Sequence, residues 1–207
     1  MSLSFPNTAS SRSLTYELII LQQPLHARMC GFGDKDRRPV DPPPILQLKV
    51  RQPGGGKIRF QLDTTLLVVH VDLFYPEGER ALDHPSHPNT VEGRVSNSAD
   101  RSFPDPEEDM ASTFPDPATG HPIRNLLGTI MGSSYHLQGL DQEMGIYYIF
   151  SDLSIRTEGT YRLGFTMMNL EGGEIGEAKV VAHAYSENFT VYPPKRFPGM
   201  TGRGIEH

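Results

Sequence analysis

Residues 45–75 read ILQLKVRQPGGGKIRFQLDTTLLVVHVDLFY, and the period of this stretch decides the fold class. Ile45–Arg51 alternates, with Leu46, Leu48 and Val50 on one face and Gln47, Lys49 and Arg51 on the other. That is the pattern of a half-buried strand. Gln52-Pro53-Gly54-Gly55-Gly56 reads as a turn. Lys57–Leu62 alternates again, setting Ile58, Phe60 and Leu62 against Lys57, Arg59 and Gln61. Thr65–Tyr75 is rich in β-branched and aromatic residues and predicts a central strand buried on much of both faces. A hairpin followed by a core strand is expected.

The same period extends outward in both directions. Thr15–Gln23 precedes as a first strand, and Asn125–Met131, Ser134–Leu137 and Gly145–Phe150 follow. Thr160–Met168 places Tyr161, Leu163, Phe165 and Met167 on one face, and Glu177–Tyr185 and Asn188–Tyr192 complete the set. Turns at Gly139-Leu140-Asp141, Glu158-Gly159 and Gly172-Gly173 separate them. No segment longer than about ten residues carries a 3.6-residue apolar repeat. Short strands at this spacing predict an all-β protein, an immunoglobulin-like antiparallel β-sandwich. The 207 residues suffice for one core. We expect a disordered lead-in over 1–14, one sandwich domain over 15–201 and a tail over 202–207.

Residues 76–122 differ in kind. They hold eight of the eighteen prolines and few aliphatics, and predict a long acidic loop, partly disordered, rather than a folding unit. Residues 77–120 carry ten acids against three arginines, a net of −7 within a chain whose total is −6. The remainder is therefore free to carry a basic face. The single cysteine, Cys30, excludes an intramolecular disulfide and an all-cysteine metal site. No apolar run reaches membrane-spanning length and Met1–Ser13 is polar, so a reducing, intracellular compartment is expected.

The stretch His26–Arg38, running into Pro39-Val40-Asp41-Pro42-Pro43-Pro44, lacks strand or helical period and is not expected to be a core element. It sets Arg28, Lys35, Arg37 and Arg38 among glycines that free the backbone and prolines that stiffen it. Such a basic loop suits an anion, and nucleic-acid phosphate is the commonest large one. Cys30, Gly31, Phe32, Gly33 and Pro42, Pro43 and Pro44 are expected to shape it. Lys49, Arg51, Lys57 and Arg59 would extend the field along exposed strand faces. The bland alternative is a solvated loop whose arginines pair with Asp34, Asp36 and Asp41.

Other candidates are weaker. Gly31-Phe32-Gly33 lacks the second half of any phosphate-loop motif. His84, His87 and His121 have ligand-like spacing but no rigid frame, so no metal or other cofactor is expected. Gly132-Ser133-Ser134 is not a nucleophile elbow, and no catalytic constellation stands out, so an enzyme is not expected. The absence of tryptophan argues against a carbohydrate binder. The dense segment Asp152–Leu163 reads as a tight loop entering a core strand, with Arg156 and Glu158 paired locally. Ile146, Tyr148 and Phe150 are candidate dimer contacts, with core the stronger reading.

Three stretches together resemble the velvet domain of fungal regulatory proteins. They are His26–Gly31 through Arg37-Arg38-Pro39 and Asp41–Pro44, then Asp152–Gly159, then Lys195-Arg196-Phe197-Pro198-Gly199-Met200. The resemblance covers Tyr16 to Thr201. It implies a sandwich similar to the Rel/NF-kappaB DNA-binding domain and a sequence-specific transcription regulator of development, sporulation and secondary metabolism. It also implies double-stranded DNA and a second velvet protein, or itself, as partners, and a nuclear protein that shuttles with the cytoplasm. Neither a membrane nor a small-molecule substrate is implied. The DNA-contacting residues map to Arg28, Lys35, Arg37 and Arg38. The short acidic insertion favours a VosA-like or VelC-like member over a VelB-like or VeA-like one. The alternative function is an interaction module that pairs with another velvet protein and touches DNA little.

Overall fold

The computed structural model describes residues 14–32, 37–51, 64–77, 111–115, 119–139, 142–170 and 178–200. Every regular element among them is a strand. In chain order these are β1 (Thr15–Gln22), β2 (His26–Arg28), β3 (Ile45–Arg51), β4 (Leu67–Phe74), β5 (Thr113–Pro115), β6 (Pro122–Arg124) and β7 (Leu126–Leu127). They continue with β8 (Met131–Gly132), β9 (Tyr135–Gln138), β10 (Met144–Ile149), β11 (Ser154–Ile155), β12 (Gly159–Asn169), β13 (Lys179–Tyr185) and β14 (Phe189–Tyr192).

Two sheets face one another. The first runs β1-β3-β10-β9, all antiparallel. The second runs β2-β14-β12-β4-β8, with β13 also paired to β12. The long β12 is the hub: its start pairs with β14, and residues 162–169 pair with β4. Leu18, Leu46, Leu48 and Tyr148 of the first sheet meet Val69, Val71, Leu73, Leu163, Phe165 and Met167 of the second in one core. The Tyr148 hydroxyl crosses the layers to donate to the Leu67 carbonyl at 3.2 Å. Phe150 lies against Phe165 with ring centroids 5.4 Å apart. Burying such rings removes the largest apolar areas from water and dominates what holds the layers together.

The alternation in Ile45–Arg51 matches β3, with Leu46 and Leu48 buried and Lys49 and Arg51 exposed. The β12 face is as expected: Tyr161, Leu163, Phe165 and Met167 are all essentially fully buried. Tyr148 and Phe150 are core residues and Ile146 is half-buried against them. The second arm of the expected hairpin, Lys57–Leu62, lies outside the described residues, as does most of the acidic insertion.

Residues 65–75 contain a strand buried on much of both faces, as expected: on the outer face of β4 Phe74 is buried and the His70 and Asp72 side chains are only 28% and 25% exposed. Three expectations need correction. Residues 125–131 do not form one strand; Gly128 has φ +108 and separates β7 from the bridge at β8. The insertion is not loop throughout, since β5 pairs with β6 and Ala111 is buried with its amide bonded to the Leu73 carbonyl at 2.8 Å. Finally, the basic stretch does enter the core. His26–Arg28 is a strand parallel to β14, a departure from a purely antiparallel sandwich, and Ala27 and Val40 are 1% exposed.

Candidate nucleic-acid interface

Three residues are too few to show a period, yet β2 is firmly placed. Ala27 points into the core, while His26 and Arg28 flank it on the other face. The strand is held on one side by β14, where Arg28 pairs with Tyr192 and the Met29 amide bonds to the Tyr192 carbonyl at 2.9 Å. On the other side Asp41 doubles back, its amide bonding to the His26 carbonyl at 2.9 Å and its carbonyl accepting the Leu25 and His26 amides. The basic loop therefore leaves and re-enters the core at one point.

Four consecutive residues close the neck of that loop. The Leu153 carbonyl accepts the Val40 amide at 2.7 Å. The Ser154 hydroxyl donates to the Arg38 carbonyl at 3.0 Å. The Ile155 and Arg156 carbonyls accept the Cys30 and Gly31 amides at 2.9 and 3.0 Å. In addition, the Arg156 guanidinium donates through Nη1 to the Gly31 carbonyl at 2.9 Å and through Nε to the Arg124 carbonyl at 3.1 Å. Arg156 and Glu158 do not pair with one another as expected. Glu158 instead meets Arg196 at 3.3 Å.

Beneath this tie lies a buried polar knot. The Asn125 side-chain oxygen accepts from the Thr157 amide at 3.2 Å and from its hydroxyl at 3.0 Å. The Thr157 hydroxyl is also 2.7 Å from the Tyr161 hydroxyl. Burial pushes the Tyr161 phenol above its ordinary range, with Thr157 and Asn125 bonding opposing the shift and the Glu158 charge adding to it. Tyr161 is thus a neutral strut.

The chain's other end reaches the same place. His26 Nε2 lies 3.0 Å from the Gly199 carbonyl and 3.2 Å from an Asp41 carboxylate oxygen. Its ring meets Phe197 edge-on at 5.5 Å. The three stretches that carried the resemblance, remote in sequence, are joined into one surface.

Arg37 and Arg38 are exposed on this surface and Arg28 is half-buried in β2. Lys35 and Gly33 lie outside the described residues, as do Asp34, Asp36, His84, His87, Lys57 and Arg59. Gly31 has φ +63, a conformation that a glycine adopts without steric cost. Phe32 is 51% exposed and packs edge-on against Phe114 of β5. Pro42–Pro44 anchor the return: the Pro43 carbonyl accepts from Gln22 at 2.6 Å and the Pro44 carbonyl accepts the Phe150 amide at 3.1 Å. Cys30 contributes its backbone amide to the neck.

Lys49 and Arg51 belong elsewhere. They sit on the outer face of the first sheet, and Arg51 pairs with Glu17 at 3.0 Å. Six strand rises separate Arg51 from the Ile45 end nearest the loop, about 20 Å. Arg124, Lys195 and Arg196, which sequence reasoning did not single out as contacts, are exposed; the Arg124 carbonyl joins the neck through Arg156, and Arg196 pairs with Glu158 at 3.3 Å. The signal for Lys195 and Arg196 was present in the third stretch. None existed for Arg124, which is brought in by β6 and the Arg156 bond.

A family model described as Velvet factor matches residues 16–203. Velvet complex subunit RYP3 of Ajellomyces capsulatus is 30% identical, the alignment covering 94% of this chain and 77% of that protein. Velvet complex subunit 2 of Gibberella moniliformis is 30% identical over 89% of this chain and 56% of its own length. Sexual development regulator umv3 of Mycosarcoma maydis is 34% identical over 93% of this chain, which spans 42% of it.

Proposed function

The chain belongs to the velvet factor family of fungal developmental regulators, and on that premise we propose that it binds duplex DNA through the surface built around the basic loop. In this reading Arg37 and Arg38 contact phosphate, and Arg28 and Lys35 add contacts or base readout. Arg124 and Lys195 add exposed positive charge, whereas the Arg196 guanidinium is paired with Glu158 at 3.3 Å. The observation that carries the reading is that two exposed arginines stand on a loop whose ends are both hydrogen-bonded to 153–156. A loop held in this way loses less conformational freedom on binding, which leaves more of the phosphate attraction as affinity.

The protein is proposed to act as a dimer, with itself or with another velvet protein, as a nuclear transcription regulator that shuttles with the cytoplasm and has no catalytic activity of its own. Control of sporulation and secondary metabolism belongs to this proposal. So does placement with the VosA-like or VelC-like members, which rests on the short acidic insertion alone. The names of two relatives, velvet complex subunits, support the pairing. They also favour the second reading, an interaction module that contacts DNA little by itself. Fluorescence anisotropy of a labelled mixed-sequence duplex separates the two. Salt-sensitive binding by the purified chain alone is expected. Binding only after a velvet partner is added, with no change on mutating Arg37 and Arg38, is the outcome of the second reading.

A further inference from the structure

We propose that Ser154 and Arg156 are positioning residues that set the geometry of the basic surface without touching the nucleic acid. The inference rests on the DNA-binding reading for its consequence, but on the neck geometry for its mechanism.

Arg156 is a cation in a basic neighbourhood, and its obvious role would be one more phosphate contact. Its geometry points to another. Two of its guanidinium nitrogens already donate to the Gly31 and Arg124 carbonyls at 2.9 and 3.1 Å. Its own amide donates to the Asn125 carbonyl and its own carbonyl accepts the Gly31 amide, each at 3.0 Å. One side chain thus spans Gly31, at the start of the loop just past β2, and Arg124, at the end of β6. Its planar fork fixes both carbonyls at once, and a lysine ammonium on a flexible stem cannot reproduce that fixed geometry.

Ser154 does the equivalent work at the other end of the loop. It is 2% exposed, so it is unavailable to a ligand, and its hydroxyl holds the Arg38 carbonyl at 3.0 Å. The exposed side chain of Arg38 therefore hangs from a backbone that Ser154 fixes from inside the domain. Between them the two residues tie Gly31, Arg38 and Arg124 together at the root of the loop, beside the Arg28 that β14 holds in β2.

Contacting and positioning residues differ in how they respond to salt. Removing a phosphate contact lowers both the affinity and the slope of log affinity against log salt, because fewer counterions are released. Removing a positioning residue lowers the affinity while the number of contacts in the bound state is kept. The test uses the full chain, a labelled mixed-sequence duplex and a salt series, with Ser154→Ala and Arg156→Lys beside Arg38→Ala. Loss of one such hydrogen bond predicts about tenfold weaker binding for each positioning variant. Their slopes should equal that of the unaltered chain, whereas Arg38→Ala should lose about one unit of slope. Amide exchange should quicken at Cys30 and Gly31 in Arg156→Lys and at Val40 in Ser154→Ala, with β12 unchanged.

Unaltered affinity in both positioning variants overturns the proposal. So does a slope loss in Arg156→Lys as large as that of Arg38→Ala, and so does unchanged exchange at the neck. Should Arg156→Lys fail to fold, Ser154→Ala carries the same comparison. If the unaltered chain binds no duplex, the DNA-binding reading fails, and the exchange measurement alone decides whether the neck is held as described.

Discussion

His26 and Gly199 are 173 positions apart in the chain, yet the His26 imidazole Nε2 lies 3.0 Å from the Gly199 carbonyl oxygen. The same nitrogen faces the Asp41 carboxylate at 3.2 Å and the ring abuts Phe197. One side chain therefore fastens the C-terminal turn to the root of the basic loop. His26→Ala should cost about 1–2 kcal/mol of stability, the sum of a hydrogen bond and an aromatic contact. Limited proteolysis should then cut between 195 and 200 sooner than in the unaltered chain. An unchanged melting temperature with unchanged cleavage contradicts this role.

Asn125 is buried and its side-chain oxygen holds both polar groups of Thr157. Asn125→Ala leaves the Thr157 amide without that partner, and stranding a donor costs about 1–3 kcal/mol. Thermal denaturation should show the loss, at about 2–4 °C per kcal/mol for a domain of this size. Thr157→Val, which removes only the hydroxyl, should cost less. The reverse order would mean that the hydroxyl pair with Tyr161 matters more.

Gly164 lies under the outward-facing rings of Phe74 and Tyr185, which meet edge-on at 5.5 Å. A Cβ there would overlap the Phe74 ring and stand 2.9 Å from that of Tyr185. Both rings would have to turn, and Arg162, stacked over Tyr185 at 4.7 Å, would move with them. Gly164→Ala should destabilise by about 1–3 kcal/mol. Urea denaturation with an unshifted midpoint is the contrary result.

Burial pushes the Tyr148 hydroxyl from its usual value near 10.0 up to about 12. The folded state therefore favours the neutral phenol more than the unfolded state does. Its contribution is fully present below pH 10 and is lost as pH rises from about 10 to about 12. Tyr75, raised to about 12 by burial and by Tyr161, acts in the same direction. Stability measured across this window should fall, and fall less steeply in Tyr148→Phe. Parallel profiles for the two proteins contradict the assignment.

What could be read from the residues follows from where the information is local. In β3 and β12 every second side chain is core, so alternation alone gave the elements and their inward faces. β2 has only Ala27 pointing inward, and its partners are a parallel strand at 190–192 and the doubled-back Asp41. No window along the chain can display such a contact. β5 carries a proline and pairs with β6, which begins with one, and proline is tolerated there because these are short edge strands. Composition therefore read as loop. The basic residues of the loop were legible as cations, but the neck that fixes them was not. Ser154 and Arg156 act through backbone groups more than a hundred positions away. Arg51 shows the opposite failure: it is basic in composition, but Glu17 is beside it.

The central claim is that Arg37 and Arg38 grip phosphate. The direct measurement is the salt dependence of duplex affinity for the unaltered chain and for the Arg37→Ala/Arg38→Ala double variant, with melting temperatures recorded alongside. The account predicts weaker binding, a slope lower by about two units and an unchanged melting temperature. A double variant that keeps the slope of the unaltered chain contradicts it.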